Sequence, residues 1–285
     1  MIQQLKDSGY INKEMEEFFK FNVVHGRYLC GNIIQEFLPK IKETEIQVDD
    51  NLAIFTVSDL HSTNNSILKL VNLSKQINFL IVPKYVFWIS KVEALYKHIS
   101  ENYSTLPDYI LYLDGLDTLI LKDIYNPKKY LDFYNCKVLF NVENQYAGTG
   151  YEAPTAEYLH NFYNDDYQNF LNKNREKYGN DLPFGLNAGV FLGEKKYVLK
   201  LLKEAYNYMK RNPNKGFPYG CTDDQYVFRY LHNKHYDLIS VDIFNIFSFW
   251  GGQMSVDDNP NNYMFKIGYT DKYLRKYLDK KIENN

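Results

Sequence analysis

Long apolar runs are missing from this sequence. No stretch approaches the roughly 20 uninterrupted apolar residues that span a bilayer, so no integral membrane segment is expected. The opening MIQQLKDSGYINKEMEEFF lacks a basic region followed by an apolar one, and a cytoplasmic, unprocessed chain is expected. Cysteine is scarce. Cys30, Cys136 and Cys221 are odd in number and far apart, which suits reduced thiols better than a disulfide framework or a zinc site. The Asn-x-Ser sequons at Asn64, Asn72 and Asn102 therefore carry little weight. An excess of either charge is absent too. With 33 Lys+Arg against 35 Asp+Glu, no whole-molecule field draws the chain onto nucleic acid or an anionic membrane. An anionic ligand would have to be held by a local site.

What is present begins with size: 285 residues suffice for one large α/β domain or two small ones with a buried core. Aromatics are abundant, with 27 Tyr and 19 Phe. Tyrosine buries a ring while keeping a polar tip, and such rings suit sugar stacking. A composition biased toward Tyr, Asn, Lys and Ile gives the same count without any ligand, and accounts for most of these residues.

Helical spacing of Met15, Phe18 and Phe19, then of Ile33, Ile34, Phe37 and Leu38 before Pro39, predicts a helical N-terminal segment over 1–50. Its polar end, 40–51, reads as a linker. Strand-like runs follow at Leu52–Val57, Phe79–Pro83, Tyr109–Leu113, Val138–Val142, Gly189–Leu192 and Leu238–Val241. Helix-like segments lie between them near 64–74, 89–100, 155–172, 195–211 and 222–232. This alternation predicts an α/β domain over 51–270 with a mainly parallel, Rossmann-like central sheet. Ligands of such sheets bind outside the carboxyl ends of the strands. A Lys-rich helix or tail is expected over 271–285.

The sharpest chemical signal is Tyr109-Ile-Leu-Tyr-Leu-Asp-Gly-Leu-Asp117, a buried-type strand running into two carboxylates with Gly115 between them to permit a tight turn. Asp114 and Asp117 are hard oxygen ligands suited to Mn²⁺ or Mg²⁺, ions that also bind the oxygens of a diphosphate. An Asx turn closing a strand uses the same residues equally well. Two further segments, Phe184-Gly-Leu-Asn-Ala-Gly-Val-Phe-Leu-Gly193 and Thr222-Asp-Asp-Gln225, follow at distances suited to later strand ends.

Taken in order, these pieces resemble the glycosyltransferase domain of collagen lysyl hydroxylases and their bacterial and viral relatives. The resemblance runs from Leu52 to Phe249. It implies a GT-A fold and hexose transfer from a UDP-sugar with Mn²⁺. Thr56-Val57 match the family's first strand end, near the nucleotide base, and Lys91 matches a lysine opening a helix near the donor phosphates. Asp114 and Asp117 match its metal-binding Asp-x-x-Asp, and Asp114 thereby joins the donor site. Val138-Leu-Phe-Asn-Val-Glu143 is similar to a strand ending in Ala-Glu. Leu186 to Gly193 resemble Leu-Asn-Ser-Gly-Gly-Phe-Ile-Gly.

Asn187 offers donor and acceptor atoms to a sugar hydroxyl, and Gly189 lets backbone approach the ligand closely. Asp223 and Asp224 match an acidic segment in the sugar and acceptor region, where either could accept a proton or orient the sugar. Thr222-Asp-Asp-Gln225 also fits a capping box, and both readings can hold together. The implied acceptor is a hydroxyl of a glycan or a protein.

One departure stands out: Lys266, in Tyr263-Met-Phe-Lys-Ile-Gly268, occupies the place of the family's metal-binding histidine. A protonated lysine does not ligate Mn²⁺, but it can neutralise a diphosphate. The family's aromatic after the Ala-Glu strand has Tyr146 or Tyr151 as candidates. Two rivals remain. One is a catalytically degenerate nucleotide-sugar or glycan-binding protein, favoured by Lys266. The other is a metal-dependent phosphoesterase opening on Asp59-Leu-His61, which lacks the Asn-His element that such a dinuclear site requires.

Overall fold

The computed structural model describes residues 47–58, 77–83, 87–114, 118–120, 123–143, 185–212, 224–243, 246–250 and 264–266. The predicted N-terminal helices, the helices at 64–74 and 155–172, and the C-terminal tail lie outside them.

In chain order the elements are β1 (Leu52–Ser58), β2 (Ile77–Ile81), α1 (Phe87–Glu101), β3 (Tyr109–Leu113), β4 (Thr118–Ile120), α2 (Lys128–Tyr134) and β5 (Val138–Glu143). Then come β6 (Gly185–Glu194), α3 (Lys195–Arg211), α4 (Asp224–Lys234), β7 (Ile239–Val241), β8 (Ser248–Trp250) and β9 (Met264–Lys266). Six strands form one sheet in the order β2-β1-β3-β6-β5-β7. All are parallel except β6, which runs against both of its neighbours. The chain is therefore an α/β protein with a mixed, mostly parallel sheet.

Burial on both faces explains the near-continuous apolar composition of the central strands, since β1 is buried throughout. On one face Phe55, Tyr112, Phe140 and Phe191 pack against apolar residues of α1, α3 and α4. Phe140, Phe191 and Phe228 pack against one another as tilted rings with centroids 5.1–5.9 Å apart. Each such buried ring contributes on the order of 2–3 kcal/mol. α3 shows why it forms: Val198, Leu201, Leu202, Ala205 and Met209 recur at helical spacing and are buried.

A second sheet of three short strands, in the order β4-β9-β8, was not expected from the sequence. Strands of three residues are too short to carry a period. The end of the stretch read as a linker is tied down. The amide of Asp49 donates to Ile124 O at 2.8 Å, and the Asp49 carboxylate accepts the Asn51 and Asn126 amides at 2.9 and 2.8 Å.

Other boundaries moved for local reasons. β2 begins and ends two residues earlier than expected, because Ile77 pairs with Ile54 and Pro83 has no N–H to extend the ladder. The unexpected helix α2 is brief, opening after Pro127 and closing at Asn135, whose φ of 49° satisfies the left-handed cap.

Candidate functional site

The sheet order sets where a ligand can bind. β1 has β2 on one side and β3 on the other, both parallel to it, so the chain reverses its direction of travel across the sheet between β1 and β3. A crevice opens outside the carboxyl ends of two such strands. Phe55 pairs with Tyr112, which brings Thr56-Val57 beside Leu113-Asp114 at that edge. Thr56 is fully buried, and its hydroxyl has no hydrogen-bond partner among the described residues.

β6 supplies the other wall through an irregularity in its pairing. Phe191 pairs with Phe140, yet Asn187 pairs with Asn141, so Ala188, Gly189 and Val190 stand opposite no residue of β5. The Asn187 carboxamide stabilises this bulge by accepting the Gly189 amide at 2.9 Å, an Asx turn inside a strand. On the other side the ladder to β3 runs unbroken from Glu194 to Val190. The Asp114 amide donates to Gly189 O at 2.8 Å, which fastens the end of β3 to the bulge. Ala188 N donates to Gln225 Oε1 at 3.2 Å, which fastens the bulge to the start of α4.

Lys91 lies at the centre. It is 2% exposed, on the second turn of α1, with its Nζ 4.8 Å from the Tyr112 ring centroid. An ammonium carries three N–H donors. They meet Ala188 O at 3.1 Å, Asp114 Oδ1 at 3.3 Å and the Asp224 carboxylate, which forms a close ion pair. Tyr112 donates its hydroxyl to the same Asp114 Oδ1 at 2.8 Å. Asp224 is 3% exposed, whereas the Asp114 side chain retains 31% of its accessibility. The two carboxylates thus differ. Asp224 is an internal counter-ion, and Asp114 is at the rim.

Of the sequence-derived site residues, Lys91, Asp114, Asn187, Gly189 and Asp224 are brought together, with Thr56 and Val57 on the neighbouring strand. Asp117 and Asp223 lie outside the described residues, as do Asp59, His61, Tyr146 and Tyr151. Lys266 pairs with Thr118 and with Trp250 in the small sheet, so its backbone lies beside the chain that leaves Asp117.

Sequence reasoning missed the roles of Tyr112 and Gln225. Tyr112 was within reach, because residues two apart on a strand share a face and the second is Asp114. It also missed Arg229, whose buried Nε donates to Leu186 O at 3.0 Å and braces β6 against α4.

The chemistry of the rim fits a hard divalent cation in part. Asp114 offers carboxylate oxygen at an accessible edge, and one of its oxygens already faces an ammonium and a phenol. Among the described residues no three His, Cys, Asp or Glu side chains converge on one point. Among the same residues no helix is long and apolar enough to cross a membrane.

Fold and site together define an α/β protein with an acid-terminated strand at a topological switch point. No protein-family model matches the chain, and no curated protein matches it at a significant level.

Proposed function

We propose that this chain is a GT-A-type glycosyltransferase that moves a hexose from a UDP-sugar to a hydroxyl acceptor on a glycan or a protein. The observation that carries the reading is the convergence of Lys91, Asp114, Ala188-Gly189 and Asp224 from four separate elements on one edge of the sheet. That edge is where α/β sheets bind ligands, and the order of these pieces is the order of the resemblance.

In this reading Asp114, with Asp117, would hold Mn²⁺ or Mg²⁺. Such an ion supplies charge neutralisation on the departing diphosphate. The chain's own residues do the rest. Gly189 has no side chain to keep the sugar away from the bulge, and Asn187 fixes the bulge's shape. The buried Thr56 hydroxyl suits a polar atom of the base. The three acceptors around Lys91 give it a positioning role, with Lys266 left as the cation for the diphosphate. Asp224 is occupied by Lys91, so the contact with the acceptor hydroxyl falls to Asp223.

A nucleotide-sugar-binding protein without turnover is the second reading, favoured by the pairing of both described carboxylates with Lys91. Calorimetric titration with UDP-glucose and UDP-galactose, with and without Mn²⁺, tests the site. Mn²⁺-dependent binding is expected, and Asp114→Ala should weaken it by at least about tenfold, or about 1.4 kcal/mol. Absence of binding by the wild type to any common nucleotide sugar would remove the transferase and the binding protein together. Turnover with an acceptor array separates those two.

A further inference from the structure

The ammonium of Lys91 stands where it contends with a cation for Asp114. It lies 3.3 Å from Asp114 Oδ1, is itself 2% exposed, and cannot turn out to solvent without abandoning Asp224. Its position is fixed from three directions. Ala188 O belongs to a bulge locked by Asn187, Asp224 opens α4, and the Tyr112 ring lies beneath. A divalent ion arriving at Asp114 therefore meets a fixed positive charge a few ångströms away, at a site where dielectric screening is weaker than in water.

We propose that Lys91 is a built-in competitor for the divalent cation at Asp114, so that the cation is held well only together with a diphosphate whose charge offsets the repulsion. The part played by the diphosphate rests on the nucleotide-sugar reading above. The competition itself does not. Cation and donor then bind as a coupled pair: each raises the affinity of the other by the same factor. Lys91 acts through Asp114 and touches neither substrate, so it is a positioning residue. The consequence runs against the usual expectation for a site lysine, because removing it improves cation binding.

The test is Mn²⁺ affinity, read by calorimetry and by the electron paramagnetic resonance signal of free Mn²⁺. The full-length wild type, Lys91→Met and the double variant Lys91→Met with Asp224→Asn are each titrated without nucleotide. Lys91→Met alone strips the counter-ion from a buried carboxylate and risks misfolding, whereas the double variant removes the pair as neutral, similarly shaped groups. The double variant also preserves local charge. Two carboxylates with one ammonium, and one carboxylate alone, both sum to one negative charge.

Mn²⁺ affinity is expected to rise about tenfold or more in Lys91→Met, and also in the double variant, where net charge cannot be the cause. Affinity equal to or weaker than wild type in the folded double variant would overturn the proposal, as would no measurable Mn²⁺ binding by any of the three. Repeating the titrations with UDP separates this from the function. UDP should strengthen Mn²⁺ binding more in the wild type than in the variants. If UDP has no effect on the wild type while nucleotide-free affinity still rises in the variants, the competition stands and the nucleotide-sugar reading falls.

Discussion

His232 is enclosed in α4, and burial pushes its imidazole down to about 3. The ordinary value is near 6.5, so between these two values the unfolded chain holds a proton that the folded chain does not. Stability from this residue is thus whole above about pH 6.5 and is lost as pH falls toward 3, at about 1.4 kcal/mol per pH unit. Urea midpoints measured from neutral pH downward should decline across that window, and His232→Leu should flatten the decline. A second residue gives a simpler readout. Burial raises the Cys136 thiol to about 12, leaving almost no thiolate near neutrality. Peptide-resolved maleimide labelling should leave Cys136 unmodified in the native protein and modify it in guanidinium chloride. The same burial makes these groups poor guides to function from sequence. A lone histidine or cysteine in a helix or before a strand reads alike whether it is core or ligand.

Among the elements, β6 is closely packed at Gly193. A Cβ at Gly193 would lie 2.7 Å from Val198 Cγ2, 2.9 Å from Val138 Cγ2 and 3.0 Å from Lys137 O. Two of these are branched core side chains and the third is backbone, so nothing nearby can yield cheaply. Gly193→Ala should lower unfolding free energy by about 1–3 kcal/mol in denaturant melts, with little change in slope. The elements also differ in how much of them the sequence discloses. β3 and α3 were legible because Tyr109–Leu113 is uninterruptedly apolar and Lys195–Arg211 keeps a helical period. β6 was legible only from Gly189 onward. Its first half, Gly185-Leu-Asn-Ala, interleaves glycine and a polar amide, and it is a strand because β5 pairs with it from Asn141 to Glu143. α2 and the small sheet left no readable period, since α2 has only 7 residues and the short strands take their register from partners elsewhere in the sequence.

At the scale of the whole molecule, the candidate site was legible as residue types in order but not as contacts. Asp114 could be singled out because a carboxylate at the end of an apolar run is costly without a purpose, and Asn187 and Asp224 because their segments follow it in the order of the resemblance. That Lys91 joins Asp114 to Asp224 could not be read, since the ion pairs span 23 and 133 positions and depend on α1 and α4 meeting the same sheet edge. The reversed direction of β6 has a further consequence. β5 ends at Glu143 and β6 begins at Gly185, and these two residues are paired. Glu143 and Gly185 thus stand side by side at the carboxyl edge of the parallel strands, a single doorway for the connection between them. Closing a longer excursion there costs only about 0.6 kcal/mol per doubling of its length. The frame can thus accept excursions of many lengths and compositions at that doorway while every strand keeps its register. Grafting one such excursion for another would leave the scaffold of that edge alone.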